Sequence, residues 1–167
     1  MTIRSLMASF LSAVFLSTSA WAISEGDVMP AVEIKAKDTA TKLDWSGKVT
    51  VLNFWATWCE ACKVELKEMS EQFAPLHARS DVLVAYVSLD KEPEKAKKYL
   101  NDTFGADSPV AIRIAHDPAF IAADKIGVDS FPMTIVLDKS GKVVKVHKGF
   151  KEGEGSTAAI LKAALAL

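Results

Sequence analysis

The sequence predicts an α/β domain with a mixed central sheet flanked by helices on both faces. Two nearly uniform apolar runs, Val49–Trp55 and Val82–Leu89, are each followed by a stretch of helical character, the order that builds parallel βαβ units. Two later β-rich runs, Pro132–Asp138 and Lys142–Lys148, are separated by Lys139-Ser140-Gly141, which reads as an antiparallel hairpin. The only two cysteines, Cys59 and Cys62, sit at the first strand-to-helix junction.

The elements follow in order. Arg4 is the one charged residue before Glu25, an apolar run spans Leu6–Leu16, and Ala20 and Ala22 form an A-x-A pattern. These are the marks of a cleavable signal peptide over residues 1–22, cut after Ala22, which leaves 23–167 as the domain. The apolar run falls short of the roughly 20 residues of a membrane span. The alternative is an uncleaved N-terminal anchor facing the periplasm. Val32–Ala36 alternates like a short edge strand and Ser46–Lys48 is a turn. Val49–Trp55 suits a central strand covered on both faces.

Residues 60–76 read as a helix, because Cys62, Leu66, Met69, Phe73 and Leu76 recur along one stripe, with Pro75 marking its end or a kink. After the strand 82–89, Pro93 opens a second helix whose inner face is Ala96, Tyr99, Leu100, Thr103 and Phe104. Val110–Ala115 reads as a short strand and Asp117–Lys125 as a short helix stopped by Gly127. Beyond the hairpin, Ser156 is placed to cap a last helix to about Leu165.

The formal charge is −1 at pH 7 with both signs interspersed. That excludes a basic surface for nucleic acid or anionic lipid, and a monomer is expected.

The chemistry starts from the two thiols. Cys59 falls at the first helical turn, where unpaired N–H groups and the helix dipole stabilise a thiolate, while Cys62 lies on the inward stripe. An exposed acidic thiol beside a shielded one suits attack followed by resolution. A disulfide closing so short a loop is a poor structural staple. Glu60 carries a charge that opposes the Cys59 thiolate. Glu65, three residues after Cys62, shares its helix flank. A partly desolvated carboxyl there has a raised pKa and can take the proton of Cys62. The rival reading is a metal-binding chaperone, since C-x-x-C can hold a soft ion. A closed zinc site wants four ligands, and His77, His116 and His147 have no motif spacing to the pair. No metal and no cofactor are expected.

Two motifs carry a resemblance. Val51–Lys63 (VLNFWATWCEACK) is similar to the strand-plus-active-site motif of the thioredoxin superfamily. Phe131–Val144 (FPMTIVLDKSGKVV) resembles its cis-proline strand and following hairpin, which Gly149 closes. The fit is best to the exported TlpA/ResA-like branch of thiol-disulfide oxidoreductases and covers roughly residues 25–165. The resemblance implies a thioredoxin-like fold, Cys59 as attacking thiol and Cys62 as resolving thiol of a redox-active disulfide. It implies a cis Pro132 against that disulfide, with Trp58, Phe131 and Pro132 facing the substrate. In thioredoxins proper, a buried aspartate lies six residues before the first cysteine; here Asn53 stands there, and Glu65 fills the place where ResA-like members carry a glutamate.

The resemblance further implies a periplasmic reductant of protein disulfides, in some members the haem-site thiols of apocytochrome c. Its electrons come from a membrane carrier of the CcdA/DsbD type. A disulfide-forming oxidant of the same fold is the alternative. Ala61 replaces the usual proline between the cysteines, and Met133 the common threonine after Pro132.

Overall fold

A computed structural model describes residues 22–36 and 42–167. The expected signal segment therefore lies, except for Ala22, outside the described residues. Among the described residues six strands form one sheet: β1 (Lys35–Ala36), β2 (Val49–Trp55), β3 (Val82–Ser88), β4 (Ile114–His116), β5 (Met133–Leu137) and β6 (Val143–Lys148), in the order β1-β4-β3-β2-β5-β6. β2, β3 and β4 run parallel, and β5, β6 and β1 pair antiparallel to their neighbours. The mixed sheet of a thioredoxin-like fold is thus present.

The helices among the described residues are α1 (Glu60–Gln72), α2 (Ala74–His77), α3 (Pro93–Phe104), α4 (Pro109–Ile112), α5 (Ile121–Ile126) and α6 (Ser156–Leu165). The steps from β2 to β3 and from β3 to β4 move the same way across the sheet, so right-handed crossovers place α1 and α3 on one face. The path from β4 back to β5 reverses direction and puts α5 on the other. The core divides accordingly. Cys62, Leu66 and Met69 of α1, Leu100 of α3 and Ile160 of α6 pack with Val51, Trp55 and Val84. Ala122 and Ile126 of α5, with Ile23, Met29 and Ile34, pack with Leu52, Phe54 and Ile135. Every residue of β2 is buried, as its continuous apolar run requires.

Several boundaries differ from expectation, each for a local reason. The stripe from Cys62 to Leu76 is wholly buried, but the helix stops at Phe73 and restarts with Pro75 in the first turn of α2. Val110–Ala115 is not one strand. Ser108 accepts a hydrogen bond from Ala111 N at 3.2 Å, and Pro109 starts a helical turn, leaving β4 three residues long. The helix expected from Asp117 begins only at Ile121, because Asp117 reaches forward to accept from Ala123 N at 2.8 Å. Gly127 ends it at φ +78°, a left-handed conformation that favours glycine. Ser156 is the first residue of α6 and makes no capping bond; Gly155 holds the cap position at φ +72°. Thr103 faces solvent, and the inner face of α3 rests on Ala96 and Leu100, with Tyr99 and Phe104 partly buried against the core.

Leu100 is fully buried on α3, in a different element from the cysteines. Leu100→Ala is expected to cost about 2–5 kcal/mol of stability. Urea unfolding should show a lowered midpoint at an unchanged m-value, with the thiol chemistry retained.

Candidate active site

Three chain segments meet at one end of the central strands: the carboxyl ends of β2 and β3 and the start of β5, which runs antiparallel to β2. The β2 strand leads into a tight turn in which Cys59 N donates to Ala56 O at 3.1 Å. Cys59 is the N-cap of α1, in extended conformation, and its Sγ accepts from Cys62 N at 3.2 Å. Cys59 and Cys62 are joined as a disulfide with their Cα atoms 5.3 Å apart. Cys59 is partly exposed and Cys62 fully buried. The helix stripe placed them this way: one position opens on solvent at the cap, and the next turn points into the core.

The opposite wall comes from β5. The Phe131–Pro132 bond is cis, and Pro132 is buried. Pro132 O accepts from Gly149 N at 2.7 Å, with Gly149 at φ +73° closing the end of β6. Trp58 stands 58% exposed beside the disulfide, and its ring meets Phe131 edge-on at 5.6 Å. An exposed Trp58 backed by a partly buried Phe131 offers an apolar contact for an incoming chain.

Beneath the disulfide lies a buried polar cluster. Asn53 of β2 sits in register with Thr134 of β5 and Tyr86 of β3. Its Nδ2 donates to Glu65 Oε2 at 2.7 Å and to Thr134 Oγ1 at 2.9 Å. Glu65 comes from the inner face of α1 and is fully buried, and its Oε1 has no hydrogen-bond partner. Burial pushes the Glu65 carboxyl up to about 7; the Asn53 hydrogen bond pulls the other way, and the nearby Glu68 charge adds to the rise. Such a group exchanges a proton near neutral pH. Glu60 is different. Its carboxylate is exposed and paired with Lys63 Nζ at 2.7 Å, so its opposition to a Cys59 thiolate is offset by a cation and screened by water.

Cys59, Cys62, Glu65, Trp58, Phe131 and Pro132 thus belong to one locality or its immediate wall. Sequence reasoning passed over Thr57, Ser88 and Asp90, which form a hydrogen-bonded cluster behind the Cys59 turn. The available signal was an aspartate directly after the apolar run 82–89. Thr134 was also missed, since a threonine inside a strand looks like ordinary β-propensity.

A C-x-x-C disulfide at a helix N-terminus, set on this sheet, is the machinery of a thiol-disulfide oxidoreductase with a thioredoxin-like fold. The chain belongs to the Redoxin family, whose model matches residues 24–165. It is 30% identical over 129 residues to the thioredoxin-like protein YneN of Bacillus subtilis strain 168, covering 76% of this chain and 73% of that one. It is 32% identical over 106 residues to the thiol-disulfide oxidoreductase ResA of Geobacillus thermodenitrificans strain NG80-2, covering 64% of this chain and 58%, less than two thirds, of that one. Among solved structures, one assigned to the thiol:disulfide interchange protein DsbE of Chlorobium tepidum matches with a TM-score of 0.72 at 30% identity, covering 87% of this chain and 98% of that one.

Proposed function

We propose that this chain is an exported, periplasmic reductant of protein disulfides that works as a monomer. The observation that carries the reading is the asymmetry of the pair: Cys59 partly exposed at a helix N-terminus, Cys62 buried one turn on, and Glu65 buried on the same helix with its carboxyl raised to about 7. In the reduced protein the Cys59 thiolate attacks a substrate disulfide, forming a mixed disulfide and releasing one substrate thiolate. Cys62 then loses its proton to Glu65, and its thiolate attacks the Cys59 sulfur. The second substrate thiolate leaves. Two electrons have passed to the substrate, and the Cys59–Cys62 disulfide remains. Trp58, Phe131 and Pro132 hold the substrate segment against the pair.

Residues 1–22 act in this reading as the export signal. Among the described residues, no helix is long and apolar enough to cross a membrane. A periplasm held oxidising requires electrons to be brought across the membrane to reset the pair, and a carrier of the CcdA/DsbD type is the proposed donor. Cysteine pairs of apocytochrome c haem sites are a fitting substrate class.

Thiol alkylation in cells tests the direction of flow. The pair is expected to be mostly reduced at steady state and to become oxidised when the donor is deleted. A pair found mostly oxidised with the donor intact would overturn the reductant reading in favour of the oxidant.

A further inference from the structure

Behind the turn that presents Cys59 lies a second carboxylate, Asp90, which the exchange steps above do not use. Leu89 N donates to Trp55 O at 2.9 Å, which carries the β2–β3 pairing past the end of β3 and brings residues 88–90 beside 55–57. Asp90 is 4% exposed. Its Oδ1 accepts from Thr57 Oγ1 at 2.6 Å, and its Oδ2 accepts from Thr57 N and from Ser88 Oγ, each at 3.0 Å. Ser88 Oγ in turn accepts from Asp90 N at 3.1 Å. Both carboxyl oxygens of Asp90 are thus engaged as acceptors.

The Lys63 ammonium, held chiefly by Glu60, also feels the charge of the Asp90 carboxylate. Among the described residues Asp90 makes no ion pair, and the lysines on the neighbouring helices are committed elsewhere, Lys63 to Glu60 and Lys95 to Glu92. Lys91 is exposed to solvent. The other charged groups around the pair differ in kind. Glu60 and Lys63 cancel each other at the surface, with Lys63 also lying over the Tyr99 ring at 5.6 Å, and Glu65 lies in the core with Cys62. Thr57, which Asp90 grips by both its N–H and its hydroxyl, lies inside the turn that Cys59 N closes on Ala56 O.

We propose that Asp90 is a positioning and electrostatic residue of the exchange reaction: it clamps the 56–59 turn through Thr57, and its buried charge disfavours the Cys59 thiolate and so makes the Cys59–Cys62 pair more reducing. The helix N-terminus favours that thiolate; a nearby negative charge in a poorly solvated place opposes it. Because thiolate stability is what stabilises the dithiol form, weakening it moves the couple toward stronger reductants. The inference rests on Cys59 being the attacking thiol.

The test uses the purified protein and the variants Asp90→Asn and Thr57→Val. Three readouts are taken: the pH profile of Cys59 alkylation in the reduced protein, the equilibrium of the pair with glutathione, and the unfolding midpoint. Selective alkylation of Cys59 in the unaltered protein first establishes the attacker, so a failure of that premise is seen separately. Asp90→Asn keeps an acceptor for Thr57 and removes the charge. It is expected to move the alkylation midpoint to lower pH, raising the thiolate fraction at pH 7 about three- to tenfold, and to shift the glutathione equilibrium toward the dithiol, by a smaller factor at pH 7 and by nearly the same factor, about 15–30 mV, above the Cys59 midpoint. Thr57→Val breaks the hydroxyl contact and leaves the charge, so its midpoint is expected to stay in place or move to higher pH. An Asp90→Asn protein with both quantities within twofold of the original overturns the proposal. So does a Thr57→Val protein whose midpoint falls, because loosening of the turn then suffices. If Asp90→Asn does not fold, Thr57→Val decides by the same criterion. None of these readouts reports the redox state in cells, so they leave the direction of electron flow to its own experiment.

Discussion

Cys59→Ser is expected to reduce disulfide reduction by this protein to the uncatalysed background, and Cys62→Ser to leave it able to begin the reaction but unable to finish it. The two variants differ because the structure gives the sulfurs different surroundings. Cys59 is partly open to solvent at the cap of α1, whereas Cys62 is fully enclosed with Leu66 and Met69. Without Cys62, the mixed disulfide on Cys59 must wait for a thiol from solution. A neighbouring thiol on the same helix turn acts at an effective concentration far above millimolar. Release in Cys62→Ser is therefore expected to slow by about a hundredfold or more. Non-reducing gels should show substrate–protein adducts in Cys62→Ser and none in Cys59→Ser. Adducts that form equally on both variants would mean that the sulfurs are interchangeable, and the attack–resolution scheme would fail.

Glu65→Gln is expected to slow resolution while making the folded protein more stable above neutral pH. Both effects come from one buried carboxyl. Its pKa is 4.5 in the ordinary state and about 7 here, raised by burial. A raised carboxyl pKa means that the fold disfavours the charged form. The contribution of this group to stability is full below pH 4.5, declines as pH rises, and levels off above about 7. Above that pH the fold carries a buried charge at a cost of about 3 kcal/mol. Glutamine keeps an acceptor for Asn53 Nδ2 and cannot ionise. Denaturant unfolding of the oxidised protein should show the two proteins alike near pH 5 and the variant ahead by up to about 3 kcal/mol at pH 9. Loss of a general base is typically about a hundredfold or more in rate, so resolution of a preformed mixed disulfide should slow by that order. Its pH dependence near 7 should disappear with the carboxyl. Unchanged resolution kinetics would remove Glu65 from the mechanism even if the stability change appeared.

Much of this was legible before any coordinates. The continuous apolar runs and the helical stripes located the central strands and most helices, because burial on both sheet faces or along one helix stripe imposes those patterns on the chain itself. The exposed and the buried cysteine could be told apart for the same reason, as positions on a helix. The errors fell where a side chain reaches the backbone of a nearby residue. Ser108 capping a turn at Ala111 shortened β4, and Asp117 bonding forward to Ala123 delayed α5. Such competition between side chains and the regular backbone pattern leaves little trace in periodicity.

The sequence by itself determined the chemistry: two cysteines at a strand-to-helix junction, one on the buried stripe, with a glutamate on the same helix. Those are local relations, set by helix geometry. What only the tertiary structure decided is the electrostatic setting of that chemistry. The Glu65 carboxyl is raised to about 7 because α1 lays it in the core, where burial outweighs the hydrogen bond from Asn53, with Thr134 behind. Asp90 came to rest behind the Cys59 turn because β3 pairs in parallel beside β2. Desolvation and charge proximity depend on which elements pack together, and contacts between residues 12, 33 and 81 apart in the chain are written in no local pattern.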